Sequence, residues 1–272
     1  ETARCLTLLD RDLAHAEALL REAAELSKRV AVEPPAIPDA LGMLNQHAGR
    51  LAEARESFTR ARDLCRKEQD HLGEFRALEH LFWLEVQSQH FDEARRLCAE
   101  LVRIADRLRE GSEIPFARTL AALCHYAAND EAGADLEAAL LVLRNADAKQ
   151  RLASVLNCAA AIDLDRGKCS LARKRAEEAL LLSCALERRS DAAVARVVLA
   201  RAAAAENDAA TLQRQLSELR DGAVRGVSAQ AWAAVESLRA DLGGEKTTAR
   251  VARSRRRQRG PQNGSGGFGT IA

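Results

Sequence analysis

Apolar and small residues recur along the chain with a long period. Taking Ala54 as an anchor, Gly49 lies five residues before it, Leu51 three before, Phe58 four after and Ala61 seven after. The same arrangement is found around Ala16, Ala94, Ala134, Ala172 and Leu212, so the anchors are spaced 38, 40, 40, 38 and 40 residues apart. Four after the anchors stand Leu20, Phe58, Cys98, Ala138, Ala176 and Leu216; seven after stand Ala23, Ala61, Leu101, Leu141, Ala179 and Leu219. Spacings of three and four place these residues on one helix face. Gly49, Gln89, Asn129, Gly167 and Asn207, five before the last five anchors, tolerate or favour turns. A glycine inside one long helix costs about 1 kcal/mol against alanine, so Gly49 reads as a break between two helices. A hairpin repeated every forty residues or so is the mark of a solenoid.

Leu41-Gly42, Gly49, Leu51, Ala54, Phe58 and Ala61 at these intervals resemble the tetratricopeptide repeat, in which two antiparallel helices pack through small residues. The likeness covers roughly residues 1–222. It is strong in the second repeat and in 156–182 (Leu156, Gly167, Ala172, Ala176, Ala179) and weaker in the fourth, where Glu131 replaces the apolar residue after the turn. The first repeat is degenerate, with Arg11 at its turn. Six residues beyond the usual 34 add about 9 Å of helix, or a longer connection, to each unit. Repeats of this length are similar to those at the C-terminal ends of large bacterial regulators that carry a nucleotide-binding ATPase module ahead of the helical array. The chain opens on Glu1, not Met, which reads as a piece of something longer; such a module is expected before it.

The expected fold is therefore all-α: a right-handed superhelix of about six antiparallel hairpins, near 1–34, 35–72, 73–112, 113–150, 151–190 and 191–222. A capping helix over 228–242 is expected to complete a repeat domain of residues 1–243. The first helix of each pair should build a concave wall. Turning about 100° from the packing face brings Asp39, Met43 and Gln46 onto it, then Glu79 and Trp83, Thr119 and Tyr126, Asn157, and Arg201. Aromatic anchors concentrate binding energy at interfaces, although Trp83 beside Phe82 also suits packing between repeats. Domains of the tetratricopeptide family that capture a C-terminal carboxylate use a set of Lys, Arg and Asn on this wall, which Asn157 and Arg201 alone do not reproduce.

Composition supports the helical reading: aromatics are 3% of the 272 residues, and no proline lies between 116 and 260, where long helices can run unbroken. The seven cysteines form no C-x-x-C pair and sit where small apolar residues would serve, which suits a reducing cytoplasm. The chain has no run of the 18 to 20 or so apolar residues that a membrane span requires. Net charge of +1 conceals an asymmetry, because six arginines fall in 249–259 with no acid. Without those six, 35 basic residues face 40 acidic ones. Arg253, Arg255, Arg256, Arg257 and Arg259, followed by a Gly-rich run, suit a disordered tail over 244–272 that could touch phosphate, though no aromatics interleave for base stacking.

Catalytic signatures are missing: there is no G-x-x-x-x-G-K-[ST], no G-x-S-x-G and no kinase set. His80 and His90, with Asp92 and Glu93 nearby, match no common metal spacing. These readings imply a non-catalytic scaffold without metal or cofactor. It would bind a protein segment, or an upstream domain of its own polypeptide, along the wall. The alternatives are a superhelix that senses a small-molecule effector, and nucleic-acid binding confined to the tail.

Overall fold

In the computed structural model, residues 1–108, 111–220 and 224–242 are described. The chain divides into two compact units, Glu1–Val235 and Glu236–Ala272; of the second, 236–242 are described and are helical. The first unit is an all-α solenoid with no strand among the described residues. Its six hairpins are α1 (Thr2–Leu8) with α2 (Leu13–Val30), α3 (Ala36–His47) with α4 (Leu51–Glu68), α5 (His71–Gln87) with α6 (Phe91–Leu108), α7 (Glu113–Ala128) with α8 (Gly133–Asn145), α9 (Lys149–Asp165) with α10 (Cys169–Ala185), and α11 (Arg189–Ala205) with α12 (Ala209–Glu218). Residues 229–235 begin a further helical segment.

The long period comes from helix length. Helices α9 to α12 begin at Lys149, Cys169, Arg189 and Ala209, twenty residues apart, with three-residue connections between them. Each connection is one left-handed residue closing the preceding helix. Gly167, at φ +71°, sits where its N–H reaches Leu164 O at 2.9 Å and the next N–H, of Lys168, reaches Asp163 O at 2.8 Å. This paired bonding satisfies carbonyls that the helix end leaves open. The same pair of bonds recurs at Gly49, Gln89 and Asn207, as the spacing anticipates, and also at Gln69 and Glu187 between hairpins. The last two were not legible, because a left-handed Gln or Glu carries no compositional flag.

The small residues of the second repeat have a steric cause. A Cβ at Gly42 would lie 2.5 Å from the Phe58 ring, so only glycine lets α4 approach α3 this closely. Phe58 is fully buried and stacks on His80, ring centres 4.8 Å apart.

The fourth repeat departs from expectation. Asn129 is extended (φ −137°) and its side chain accepts the Glu131 N–H at 3.0 Å, so the turn expected here is made by a 3₁₀ segment over Asp130–Ala132 and not by a left-handed residue as at Gly49 or Gly167. The tighter winding shifts the buried face by two residues: Ala132, Leu136, Leu140 and Leu143 are buried, whereas Ala134 and Ala138 are exposed and Leu141 is 57% exposed. The anchor of this repeat is thus Ala132, and Glu131 is a first-turn acid of the 3₁₀ segment rather than a flawed core position.

Candidate binding chamber

The inner faces of the first helices, with Phe91, Ala94 and Arg95 of α6, line a half-open chamber of about 800 Å³. Five of the nine residues expected on the wall line it: Met43, Gln46, Glu79, Trp83 and Asn157. Four do not. Tyr126 is 1% exposed; its hydroxyl donates to Asp163 Oδ1 at 2.5 Å, and the Arg166 and Arg175 guanidinium groups lie 4.7 and 5.2 Å from its ring centre. Thr119 is fully buried and donates to Pro115 O at 2.7 Å and to Ala139 O at 3.2 Å. Asp39 is not itself on the lining, though it lies 3.6 Å from His80, which is. Arg201 on α11 is half-buried and also lies off that lining. The inference of a 100° turn fails at Tyr126 because the next hairpin covers it with Asp163, Arg166 and Arg175, and at Thr119 because its hydroxyl turns inward to α8 of its own hairpin. The arginines from Arg253 to Arg259 lie outside the described residues.

The apolar side of the chamber is Trp83, packed edge-on against Phe82 with ring centres 5.1 Å apart, together with Met43, Val86, Phe91 and Leu123. Its polar side is rich in uncharged groups: Gln46, Gln87, Gln150, Asn157, Ser154 and Gln230. Gln46 Nε2 donates to Gln87 Oε1 at 3.2 Å. Asn157 Nδ2 donates to Asp191 O at 3.1 Å, which fixes the amide's orientation, and its buried Oδ1 has no partner among the described residues. An acceptor left so costs about 1 to 3 kcal/mol.

The arginines of the wall are each engaged by a carboxylate, while Asp165 stands exposed on the lining. Arg188 lies 2.5 Å from Asp191, Arg166 is 3.1 Å from Asp130, and Arg95 pairs with Asp92. Glu79 receives Arg151 at 3.0 Å, and Arg151 also bonds Glu113 at 2.9 Å and Ser112 Oγ at 2.8 Å while lying over the Phe75 and Phe116 rings. A phosphate or carboxylate would therefore have to displace an existing partner. Two thiols reach the chamber and are shifted in opposite directions: burial pushes Cys158 up to about 12, so it is a neutral thiol at physiological pH, whereas a hydrogen bond with Cys98 lowers Cys124.

Sequence reading missed the most unusual feature, a contact between the two ends of the solenoid unit. Asp10, in the α1–α2 turn, is 7% exposed and accepts from Ser190 N at 2.7 Å, Ser190 Oγ at 2.6 Å and His47 Nε2 at 2.8 Å. Burial alone would raise its pKa, but these bonds together outweigh burial and hold the carboxyl below its ordinary 3.8. Arg11 pairs with Glu187 at 2.5 Å beside it. No repeat pattern reports such a contact, since periodicity describes neighbours in the array and says nothing of superhelical pitch.

His80 and His90 are separately engaged, His80 stacked on Phe58 and His90 bonded to Glu85 Oε2 at 2.8 Å. No group of three metal-ligating side chains occurs among the described residues. No helix among them is long and apolar enough to cross a membrane. No protein-family model and no curated protein matches the chain.

Proposed function

We propose that this chain is a non-catalytic binding module, the sensor arm of a larger regulator, whose chamber receives a small uncharged ligand. The observation that carries this reading is the chamber itself: a volume of about 800 Å³ falls within the roughly 300 to 1,000 Å³ of small-molecule sites. Its chemistry selects further. An indole and aliphatic side chains offer an apolar face, amides and hydroxyls offer bonds of both polarities, and the Asn157 acceptor awaits a donor. With the arginines already paired, anions are disfavoured. The resemblance to regulator repeats supports a role in which occupancy shifts an equilibrium between domain arrangements.

Thermal-shift measurement against neutral sugars, nucleosides and N-acyl amino-acid amides tests this. A true ligand at a hundredfold excess over Kd adds about 2.7 kcal/mol, and Trp83→Ala or Asn157→Ala should abolish the shift. Absence of any shift across the panel, or one indifferent to both variants, removes the reading.

A second reading, a scaffold for a protein segment, is supported by the run of Met43, Gln46, Glu79, Trp83 and Asn157 on three hairpins. Gln46→Ala with Trp83→Ala should then weaken a pulled-down partner without unfolding the chain. Unchanged capture would reject it.

A further inference from the structure

The contact of Asp10 with Ser190 spans 180 residues, and a second contact has the same offset. Gly49, in the α3–α4 turn, lies so close to Ala229 that a Cβ on Gly49 would come within 2.9 Å of the Ala229 Cβ. An offset of 180 is four and a half repeats of 40, so a turn inside one hairpin meets the connection between two later hairpins. The solenoid unit thus completes one superhelical turn and lays the start of the next against it along a seam. Ser228 extends this seam, its N–H donating to Ser190 Oγ at 2.8 Å.

We infer that this seam is the gate of the chamber. The inference rests on the chamber reading above, and it concerns how a ligand gains access. Asp10, His47, Ser190 and Ser228 belong to both the seam and the chamber wall, so parting the seam opens the wall. The seam is also the weaker interface. Adjacent hairpins share faces built from buried Phe, Leu and Ala, whereas the described contacts across the seam are a carboxylate with two donors from Ser190, the exposed Arg11–Glu187 pair and a glycine against an alanine. Exposed ion pairs contribute little, and local opening follows the interface with the least buried apolar contact. Beyond the seam, the first hairpin is held by a small separate cluster, Ala3, Ala16, Leu20, Ala40 and Leu44, apart from the main core. With the seam shut the chamber is a half-open cavity that holds a compact ligand; with the seam parted its wall becomes a wider groove.

The test uses the whole chain without ligand, so its result is independent of whether any compound binds. In a Trp232→Phe background, acrylamide quenching of Trp83 reports access to the chamber, and hydrogen exchange reports the freedom of α1 and α2. Asp10→Ala should raise exchange in α1 and α2 about tenfold and increase the quenching constant, with helix content unchanged. Gly49→Ala should act likewise. Gly167→Ala is its control, since it imposes the same strain, at φ +71° against +79°, with nothing within 4 Å of the added Cβ. Equal responses from the two glycine variants, or an Asp10→Ala protein that exchanges and quenches like the parent, overturn the gate. Should Asp10→Ala fail to fold, the glycine pair decides alone. A gate that opens as described in a protein that no compound stabilises would sink the ligand reading and leave the seam standing.

Discussion

Helices α3 to α8 and helices α9 to α12 follow one hairpin plan and fill it in two ways. The first group is packed around aromatics: Phe58, Phe75, Phe82, Phe116 and Tyr126 are at most 1% exposed. The second is packed by alanine, with Ala153, Ala159, Ala160, Ala172, Ala176, Ala179, Ala195 and Ala200 fully buried. Helix starts are twenty residues apart throughout the alanine region, whereas from α3 to α8 the intervals are 15, 20, 20, 22 and 20, and the 3₁₀ turn at Asp130–Ala132 falls in this aromatic region. The difference teaches where a solenoid can absorb irregularity. A large ring can meet a displaced helix with a different edge, while a methyl group has no reach and demands strict register.

Two substitutions should have the largest effect. Phe116→Ala leaves a cavity in the aromatic region and should lower unfolding free energy by about 3 to 5 kcal/mol in urea titration. At the junction of the regions, Arg175, 2% exposed, bonds Asp163 at 2.6 Å and Glu137 at 2.8 Å. Arg175→Ala strands the buried Asp163 and should cost about 3 to 5 kcal/mol. A loss under 1 kcal/mol at either position would mean that the packing contrast has no energetic weight.

Ala176→Leu inverts the first experiment by adding volume where methyl groups meet, and should cost about 1 to 3 kcal/mol; a neutral result would show slack in the alanine region. The smallest effect is expected from acid. Because the folded pKa of Asp10 lies below its ordinary 3.8, its contribution is complete above that value and is lost as pH falls through the lowered one. Hydrogen exchange in α1 should therefore quicken at acid pH before the alanine region loosens, and Asp10→Asn should remove that early step. Exchange that quickens in both regions together would deny the seam its separate stability.

How much could be read in advance varies by element. The α9–α10 hairpin was legible to its turn, since Gly167, Ala172, Ala176 and Ala179 each occupy the role that their spacing implies. The fourth repeat was misread by two residues because a 3₁₀ turn changes winding without changing composition. Of the residues expected on the wall, Met43, Gln46, Glu79, Trp83 and Asn157 line the chamber. Tyr126 and Thr119 are buried instead, Tyr126 under the next hairpin and Thr119 against α8 of its own.

From its residues alone this chain determined the helical class, the number of hairpins and the residues that pack each one, because these depend on contacts within about forty positions. The seam from Asp10 to Ser190, the chamber it helps to close and the burial of Tyr126 were decided only in three dimensions. Those features depend on superhelical pitch, the small rotation between successive hairpins added up over 180 residues, which no local spacing records.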